Sequence, residues 1–292
     1  MPSASSAQVL KQVIARSSPL VSIDQLEQMI GAPNIKIYDV RGTWKSPARA
    51  LPEVYAEGHV PGAIFLDWTK HFLDSNEKLS LAPVADQAAA EKSFSSLGIT
   101  ASDLVILYDD YHHMQAGRIW WAMRYWGFKN VRVLNGGWGK WFASNKLVST
   151  DLPEIPMGDF KPKLHEDLRI SLEEFVETHA AHCLIDARGP ASYAGTPGDP
   201  TTGHIPGAIN IPYSALLDGD SSLFLQPPAL SAVFDKRAPL WRDYPIITSC
   251  GSGYAATVAL LALAELGYQG RLFDGSFSVW KQDPNRLIEQ ST

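Results

Sequence analysis

The sequence predicts an α/β protein with two tandem domains, each a parallel sheet flanked by helices. Three observations lead to this expectation. The chain has 292 residues, which fits two domains of ordinary size better than one. One order of short motifs occurs twice along it. Within each copy, short β-type runs alternate with helical patterns, as in a parallel sheet covered by helices.

The repeated motifs keep their order from one half of the chain to the other. An Asp-x-Arg run comes first, and a Gly-His-[Val/Ile]-Pro-Gly-Ala run follows it. Asp109 then ends an apolar run in the first half, where Cys250 ends one in the second. A glycine turn and a tryptophan close each copy. The matching segments are 37–41 with 184–188, 58–64 with 203–209, 105–109 with 246–250, and 134–141 with 273–280.

The second half shows the predicted elements in order. Strands are expected at 184–187, 208–211, 246–249 and 271–273, with a helix at 254–266 between the last two. A segment with several prolines and little periodicity, 151–162, is interpreted as a linker. The predicted domains are therefore residues 1–150 and 163–292, and the first is expected to be catalytically silent because Asp109 replaces the cysteine.

Composition narrows the possible partners and cofactors. The formal net charge is −6 with no basic stripe, so nucleic acid is not expected as a partner. No apolar run reaches the ~18 residues of a membrane span, so no membrane association is expected. Neither of the two cysteines belongs to a group with metal-ligand spacing, so we expect no metal and no organic cofactor. Cys183 lies in an apolar run and is expected to be a buried strand residue.

The cellular location has two interpretations. Two cysteines without a disulfide framework favour a reducing compartment, and the cytoplasm is the prediction. The first 23 residues contain Lys11 and Arg16 but no acidic residue, so a mitochondrial presequence is the alternative. A frayed terminus that leads into a first helix is the preferred interpretation.

Cys250 is the most informative residue of the chain. It lies between a β-type run at 245–248 and an apolar helical run at 257–266, which places it in a turn at the start of a helix. A helix N-terminus carries partial positive charge and unsatisfied N–H groups, which favour a thiolate. The glycines Gly251 and Gly253 let the backbone fold closely around one sulfur atom. We therefore predict a nucleophilic thiol at Cys250.

Because these motifs occur twice along the chain in the same order, the chain resembles the tandem-domain rhodanese sulfurtransferases. The resemblance covers nearly the whole chain, and the loop 250–253 is most similar to that of the 3-mercaptopyruvate branch. It implies that a small donor, 3-mercaptopyruvate or thiosulfate, loads a persulfide onto Cys250. The sulfur then passes to an acceptor such as cyanide, a thiol or a thioredoxin-like protein.

The resemblance also implies roles for residues around the cysteine. Ser252 and His59 are predicted to be catalytic, with Glu53 as the nearest candidate for the acid beside His59. The N–H groups of the loop are expected to hold the sulfur charge as an oxyanion hole holds an oxygen. The loop residues predicted to bind substrate in this way are Gly251, Gly253, Tyr254 and Ala255.

Donor binding departs from the family pattern. Ser192 stands where the family usually has an arginine that binds the donor's anionic group, and a further arginine is missing between 197 and 202. Arg118 and Arg188 are the candidate substitutes, since a guanidinium binds carboxylate and sulfonate groups with two parallel hydrogen bonds.

Several of these residues also have structural interpretations. Ser252 could instead cap the helix, and His59 could order the turn that it shares with His204. Tyr254 could simply pack, and Arg188 could pair with a nearby acid.

Two alternative functions remain beside the sulfurtransferase. A cysteine phosphatase of this fold needs an arginine at the sixth position after the cysteine, where this chain has Ala256. A partner-fed persulfide carrier or regulatory module stays open because the donor-binding arginine is absent.

Overall fold

The computed structural model describes residues 6–15, 18–44, 47–74 and 83–291, and these form two compact units. Unit 1 holds the described residues up to 74, residues 84–164 and the short segment 220–223. Unit 2 holds residues 165–219 and 224–291. The segment 220–223 lies in unit 1 although its neighbours in sequence belong to unit 2, an arrangement that the sequence does not predict.

Unit 1 has a five-stranded parallel sheet in the order β1-β7-β6-β2-β5, and β3 and β4 form a separate antiparallel pair. Its strands are β1 (Leu20–Val21), β2 (Ile35–Asp39), β3 (Gly42–Thr43), β4 (Arg49–Ala50), β5 (Ala63–Phe65), β6 (Leu104–Tyr108) and β7 (Val131–Leu134). Its helices are α1 (Ser6–Ala15), α2 (Ile23–Met29), α3 (Pro52–Glu57), α4 (Gln87–Ser96), α5 (Met114–Tyr125) and α6 (Gly137–Ala143).

Unit 2 has a second five-stranded parallel sheet, in the order β10-β9-β13-β14-β8. The strands of this half are β8 (Arg169–Ile170), β9 (Cys183–Asp186), β10 (Ile209–Asn210), β11 (Leu217–Asp218), β12 (Leu223–Phe224), β13 (Ile246–Ser249) and β14 (Gly270–Phe273). Its helices are α7 (Leu172–Thr178), α8 (Pro190–Ala194), α9 (Pro227–Arg237), α10 (Ala255–Glu265) and α11 (Ser276–Trp280).

The two sheets have the same plan, which confirms the predicted fold class. The order β7-β6-β2-β5 in unit 1 corresponds to β14-β13-β9-β10 in unit 2, and the two-residue strands β1 and β8 add the fifth position. Both central strands, β6 and β13, are buried along their whole length, as strands covered by helices on both faces must be.

Local signals begin equivalent helices in the two units. Ser22 caps α2, where its side chain accepts the Gln25 N–H and Gln25 returns a bond to the Ser22 N–H. Ser171 caps α7 in the same way by accepting the Glu174 N–H. Helix α10 needs no amphipathic face, because it is apolar on all sides and its middle turns are buried.

The predicted strands of the second half agree with the structure to within one or two residues. The predicted helix at 254–266 is observed as Ala255–Glu265. The sequence misses the edge strands β1 and β8, which have only two residues each. Residues 150–165 contain neither helix nor strand, and unit 1 extends to residue 164.

The N-terminal helix belongs to the core of unit 1. Val9 and Val13 of α1 are buried against Leu26 and Met29 of α2. The first five residues of the predicted frayed terminus, and Arg16, lie outside the described residues.

Candidate active site

Cys250 lies directly after β13, at the carboxyl end of the sheet of unit 2. Strand β13 pairs with β9 on one side and β14 on the other, so the cysteine follows a strand that is fixed on both edges. Helix α10 begins five residues later at Ala255. In open α/β sheets this edge is where ligands bind.

The loop from 250 to 254 wraps around the sulfur atom. Gly253 has φ +84°, a left-handed conformation that favours glycine, and its N–H donates to Cys250 Sγ at 3.2 Å. Gly251 is different, because an added Cβ there would meet no atom within 4 Å. Ser252 is partly exposed, and the cap position of α10 is Tyr254 without a side-chain bond, so Ser252 is not the N-cap.

A second segment, at the start of α11, holds the backbone of Cys250. The Cys250 N–H donates to Ser276 Oγ at 3.1 Å, and the Phe277 N–H donates to the Cys250 carbonyl at 3.0 Å. The Ser278 N–H donates to the Gly251 carbonyl at 3.0 Å. The sequence analysis predicts no role for Ser276, although it lies in the repeated segment 273–280 with the glycine turn that closes the second copy.

The two cysteines differ in chemistry. Cys183 begins β9 and is buried, as expected, and burial raises the pKa of its thiol to about 11. A thiol with that pKa is almost entirely protonated near neutral pH, so Cys183 is not a nucleophile. Cys250 is also buried, but the N–H group of Gly253 points at its sulfur.

The equivalent loop of unit 1 surrounds the carboxylate group of Asp109. Asp109 Oδ1 accepts the N–H groups of Tyr111 at 3.1 Å and His113 at 3.0 Å. Asp109 Oδ2 accepts the N–H of Ala116 at 2.9 Å. The loop of this fold therefore gathers backbone N–H groups around a negative charge, and in unit 1 the protein supplies that charge itself.

His59 takes part in a structural contact that occurs in both units. Its ring stacks on Tyr55 with centroids 3.9 Å apart, and its nitrogens lie 2.9 Å from the Tyr55 and Asp151 carbonyl oxygens. His204 repeats the stack on Tyr193 at 3.8 Å and the contact with that residue's carbonyl. His59 is also fully buried, so we leave it out of the catalytic set.

Glu53, the candidate acid for His59, pairs with Arg49 at the surface. Its side chain is about half exposed, whereas His59 is fully buried. The bonds of His59 are to backbone carbonyl oxygens. The acid role predicted for Glu53 therefore finds no support in these contacts.

Arg188 also has an equivalent in unit 1. Its guanidinium forms an ion pair with Asp186 and donates to the Gly203 carbonyl at 2.8 Å. Arg41 forms the same pair with Asp39 and donates to the Gly58 carbonyl at 2.6 Å. Because unit 1, which has Asp109 in place of the cysteine, keeps this arrangement, the geometry favours a structural role for Arg188 over donor binding.

The remaining predicted binding residues are buried to different extents. Arg118 is 1% exposed, and its guanidinium lies 4.8 Å from the Trp121 ring centroid. Tyr254 is 2% exposed, so packing, not stacking on a substrate, is the role that the structure favours. Ala255 is partly exposed at the first position of α10.

Two features of the described residues concern metals and membranes. No group of three or more histidine, cysteine, aspartate or glutamate side chains among them is arranged to hold a metal ion. Among the helices of this part of the chain, none has the length and apolar character needed to cross a bilayer.

The duplicated sheets and the cysteine loop define the class of protein. The family model described as "Rhodanese-like domain" matches residues 22–144 and again 170–283. The chain therefore belongs to the rhodanese-like family, with two tandem domains, and it is a sulfurtransferase.

Individual relatives are similar to this chain over most of its length. The putative thiosulfate sulfurtransferase SseB of Mycobacterium tuberculosis is 32% identical over 286 residues, which cover 95% of this chain and 99% of the relative. The 3-mercaptopyruvate sulfurtransferase of Escherichia coli K12 is 32% identical over 271 residues, 89% of this chain and 94% of the relative. The crystal structure of SseA from Escherichia coli superposes with a TM-score of 0.78 at 30% identity, covering 89% of this chain and 98% of that one.

Proposed function

We propose that this sulfurtransferase carries sulfur on Cys250 and takes it from thiosulfate or 3-mercaptopyruvate. The observation that carries the proposal is the hydrogen bond from the Gly253 N–H to Cys250 Sγ at 3.2 Å, at the N-terminal end of α10. A hydrogen-bond donor that points at the sulfur atom stabilises the thiolate, which is the nucleophilic form of cysteine. Gly251 and Ser252 are partly exposed, so this end of the loop is open to a sulfur donor.

The loading step balances for either donor. The Cys250 thiolate attacks the outer sulfur of thiosulfate, the S–S bond of the donor breaks, and sulfite leaves with the electron pair. With 3-mercaptopyruvate the C–S bond breaks, and the carbon that loses sulfur takes the thiol proton to give pyruvate. Both routes leave an anionic persulfide on Cys250, which an acceptor nucleophile then attacks at the outer sulfur.

The loop of unit 1 indicates where the persulfide charge would lie. A carboxylate oxygen of Asp109 and the outer sulfur of a cysteine persulfide both stand two bonds beyond Cβ. In unit 1 that position receives the N–H groups of Tyr111 and His113. Ser252 and Tyr254 occupy the matching positions in unit 2, and we propose that their N–H groups hold the persulfide with that of Gly253.

Ser252 is proposed to assist the 3-mercaptopyruvate reaction. Its hydroxyl belongs to a partly exposed residue of the loop and can relay the thiol proton towards the carbon that becomes the pyruvate methyl group. Thiosulfate needs no such proton, because sulfite leaves as an anion. Loss of the Ser252 hydroxyl should therefore slow loading from 3-mercaptopyruvate more than loading from thiosulfate.

The acceptor and the location complete the proposal. An anionic persulfide reacts with a thiol, a thioredoxin-like protein or cyanide, and we propose acceptors of this kind. We also propose a cytoplasmic protein in which α1 is retained, since Val9 and Val13 belong to the core of unit 1. Removing this helix as a presequence would expose that core.

Intact-mass spectrometry tests the function directly. Wild-type protein and Cys250→Ser are incubated separately with thiosulfate and with 3-mercaptopyruvate. A gain of one sulfur, about 32 Da, on the wild type alone is expected, because only a thiolate forms the covalent intermediate. The donor that loads faster identifies the branch.

Two controls give the experiment its meaning. Cys183→Ala should load like the wild type, because its thiol is buried and protonated. Folded wild-type protein that gains no sulfur from either donor would overturn the small-donor proposal. A partner-fed carrier would then become the better explanation.

A further inference from the structure

We propose that Ser276 is a positioning residue for the nucleophile, whose hydroxyl fixes the backbone of Cys250 so that the sulfur meets the Gly253 N–H. This inference deepens the proposed function and rests on Cys250 as its nucleophile. Ser276 is fully buried, and its Oγ accepts the Cys250 N–H at 3.1 Å. No role was predicted for Ser276 from the sequence.

The hydroxyl of Ser276 joins two strand ends. It donates to the Phe273 carbonyl at 2.9 Å while it accepts from the Cys250 N–H. Phe273 ends β14, and Cys250 follows β13, so one hydroxyl connects the ends of two paired strands. Because its hydrogen is already donated to a carbonyl, the hydroxyl is committed to holding the loop and not to moving a proton.

The turn that contains Ser276 binds both the N–H group and the carbonyl group of Cys250. The Phe277 N–H, one residue beyond Ser276, donates to the Cys250 carbonyl at 3.0 Å. With the N–H and carbonyl of residue 250 both fixed, the chain has little freedom to rotate before it reaches Gly253. The 3.2 Å contact from the Gly253 N–H to Sγ therefore depends on an anchor outside the loop.

The backbone of Ser276 is unusual for a serine. Its φ is +51°, a left-handed conformation that residues with a Cβ seldom adopt. The matching residue of unit 1 is Gly137, with φ +56°. The silent unit thus has glycine where the conformation favours glycine, whereas the unit with the cysteine has a strained residue that carries a hydroxyl. Strain of this kind tends to occur at functional sites.

Two substitutions of Ser276 distinguish the effect of backbone strain from the effect of the hydroxyl group. Ser276→Gly relieves the left-handed strain and removes the hydroxyl, whereas Ser276→Ala keeps the strain and removes the hydroxyl. Both variants leave the buried Cys250 N–H without its acceptor. We expect loading of sulfur from thiosulfate to slow roughly tenfold in both, as the loss of one buried hydrogen bond implies.

The readouts are chosen so that a merely structural role would leave them unchanged. In single-turnover loading, the maximal rate should fall while the half-saturating thiosulfate concentration stays within about twofold, because the residue positions the nucleophile and does not touch the donor. The pH at which iodoacetamide alkylates Cys250 at half its maximal rate should rise.

Ser93→Ala is the matched control. Ser93 is a buried serine of unit 1 whose Oγ accepts the Phe72 N–H at 3.3 Å, so its loss also removes the acceptor of a backbone N–H. This variant should lose stability but keep the loading rate per folded molecule and the alkylation profile of Cys250. Thermal unfolding of each variant gives the folded fraction needed for that comparison.

The outcomes separate this inference from the proposed function. Wild-type rates in Ser276→Gly, or losses explained by the unfolded fraction alone, would overturn the positioning role. If wild-type protein takes no sulfur from either thiosulfate or 3-mercaptopyruvate, the proposed function fails. The alkylation profile still decides the role of Ser276 in that case, because this measurement needs no sulfur donor.

Discussion

The two rhodanese-like units share a scaffold but differ in the residue that their central loop presents. After β6 the loop presents Asp109, whose carboxylate accepts three backbone N–H groups. After β13 the equivalent loop presents Cys250, whose sulfur accepts one from Gly253. The fold therefore points backbone N–H groups at the side chain of this loop in both units, and that side chain is a carboxylic acid in unit 1 and a thiol in unit 2.

The shared residues show what the scaffold itself requires. Each unit has an aspartate–arginine pair after its second sheet strand in sequence, and each has a histidine stacked on a tyrosine. Each also ends with a tryptophan whose indole N–H donates to a carbonyl at 2.9 Å, from Trp141 to Leu147 and from Trp280 to Leu287. Features present in the silent unit serve the fold, so they are poor candidates for catalysis.

Converting the active loop into the silent one should have the largest effect. Cys250→Asp puts the residue of unit 1 into unit 2, and turnover of thiosulfate with cyanide should fall by on the order of 10³-fold or more, because the nucleophile is gone. Stability should stay within about 1 kcal/mol of the wild type, since the loop can donate N–H groups to a carboxylate.

Turnover assays and thermal unfolding check this pair of effects, with Cys250→Ala as the comparison. Alanine also removes the nucleophile but offers no acceptor to the Gly253 N–H. An aspartate variant less stable than the alanine variant would show that the two loops do not provide equivalent environments.

The aspartate–arginine pairs should behave alike in the two units. Arg41→Ala leaves Asp39 buried without its partner and should destabilise unit 1 by about 3 kcal/mol, the range for breaking a buried ion pair. Arg188→Ala should lower the stability of unit 2 by a similar or slightly smaller amount, because Arg188 is partly exposed.

Urea unfolding and the KM for thiosulfate together check the arginine prediction. A structural role predicts that folded Arg188→Ala keeps the wild-type KM. A large rise in KM with unchanged stability would instead restore the sequence prediction that Arg188 binds the donor.

The sequence repeat predicts part of the fold and part of the candidate site. It predicted the paired sheets and the equivalent loops that hold Asp109 and Cys250, because apolar strands and glycine turns leave clear patterns. For His59 the sequence leaves a catalytic role and a role in the turn both open, because His204 shares its motif in the other half, and the contacts common to both units favour the turn. The role of Ser276 could not be predicted from the sequence, because its partner is the backbone N–H of Cys250 and no pattern of side chains reveals such a contact.

The acidic residue of the silent loop should matter for stability but not for sulfur chemistry. Asp109→Ala leaves three N–H groups without their acceptor, two of them buried and that of Tyr111 partly buried. At about 1 kcal/mol for each buried bond and less for the third, unit 1 should be destabilised by about 2 to 3 kcal/mol. Asp109→Asn should lose less, because the amide oxygen still accepts. Chemical denaturation of the three proteins checks this order, and equal stability of wild type and Asp109→Ala would contradict it.

The neighbouring Asp110 should show the smallest effect, with the opposite sign. Partial desolvation and the nearby Asp109 carboxylate raise the pKa of Asp110 to about 6, from 3.8. Folding therefore favours its protonated form. The stability that this group contributes is fully present below pH 3.8 and is lost as the pH rises through about 6.

Asp110→Asn tests this prediction, because it removes the titration while keeping the size of the side chain. At pH 7 the variant should be at least as stable as the wild type, by no more than about 0.5 kcal/mol because the residue is exposed. The difference should shrink as the pH falls towards 4, and urea unfolding over that range measures it. A wild type that gains stability over the variant as the pH rises from 4 to 7 would mean that the Asp110 carboxylate is stabilised by the loop, as that of Asp109 is.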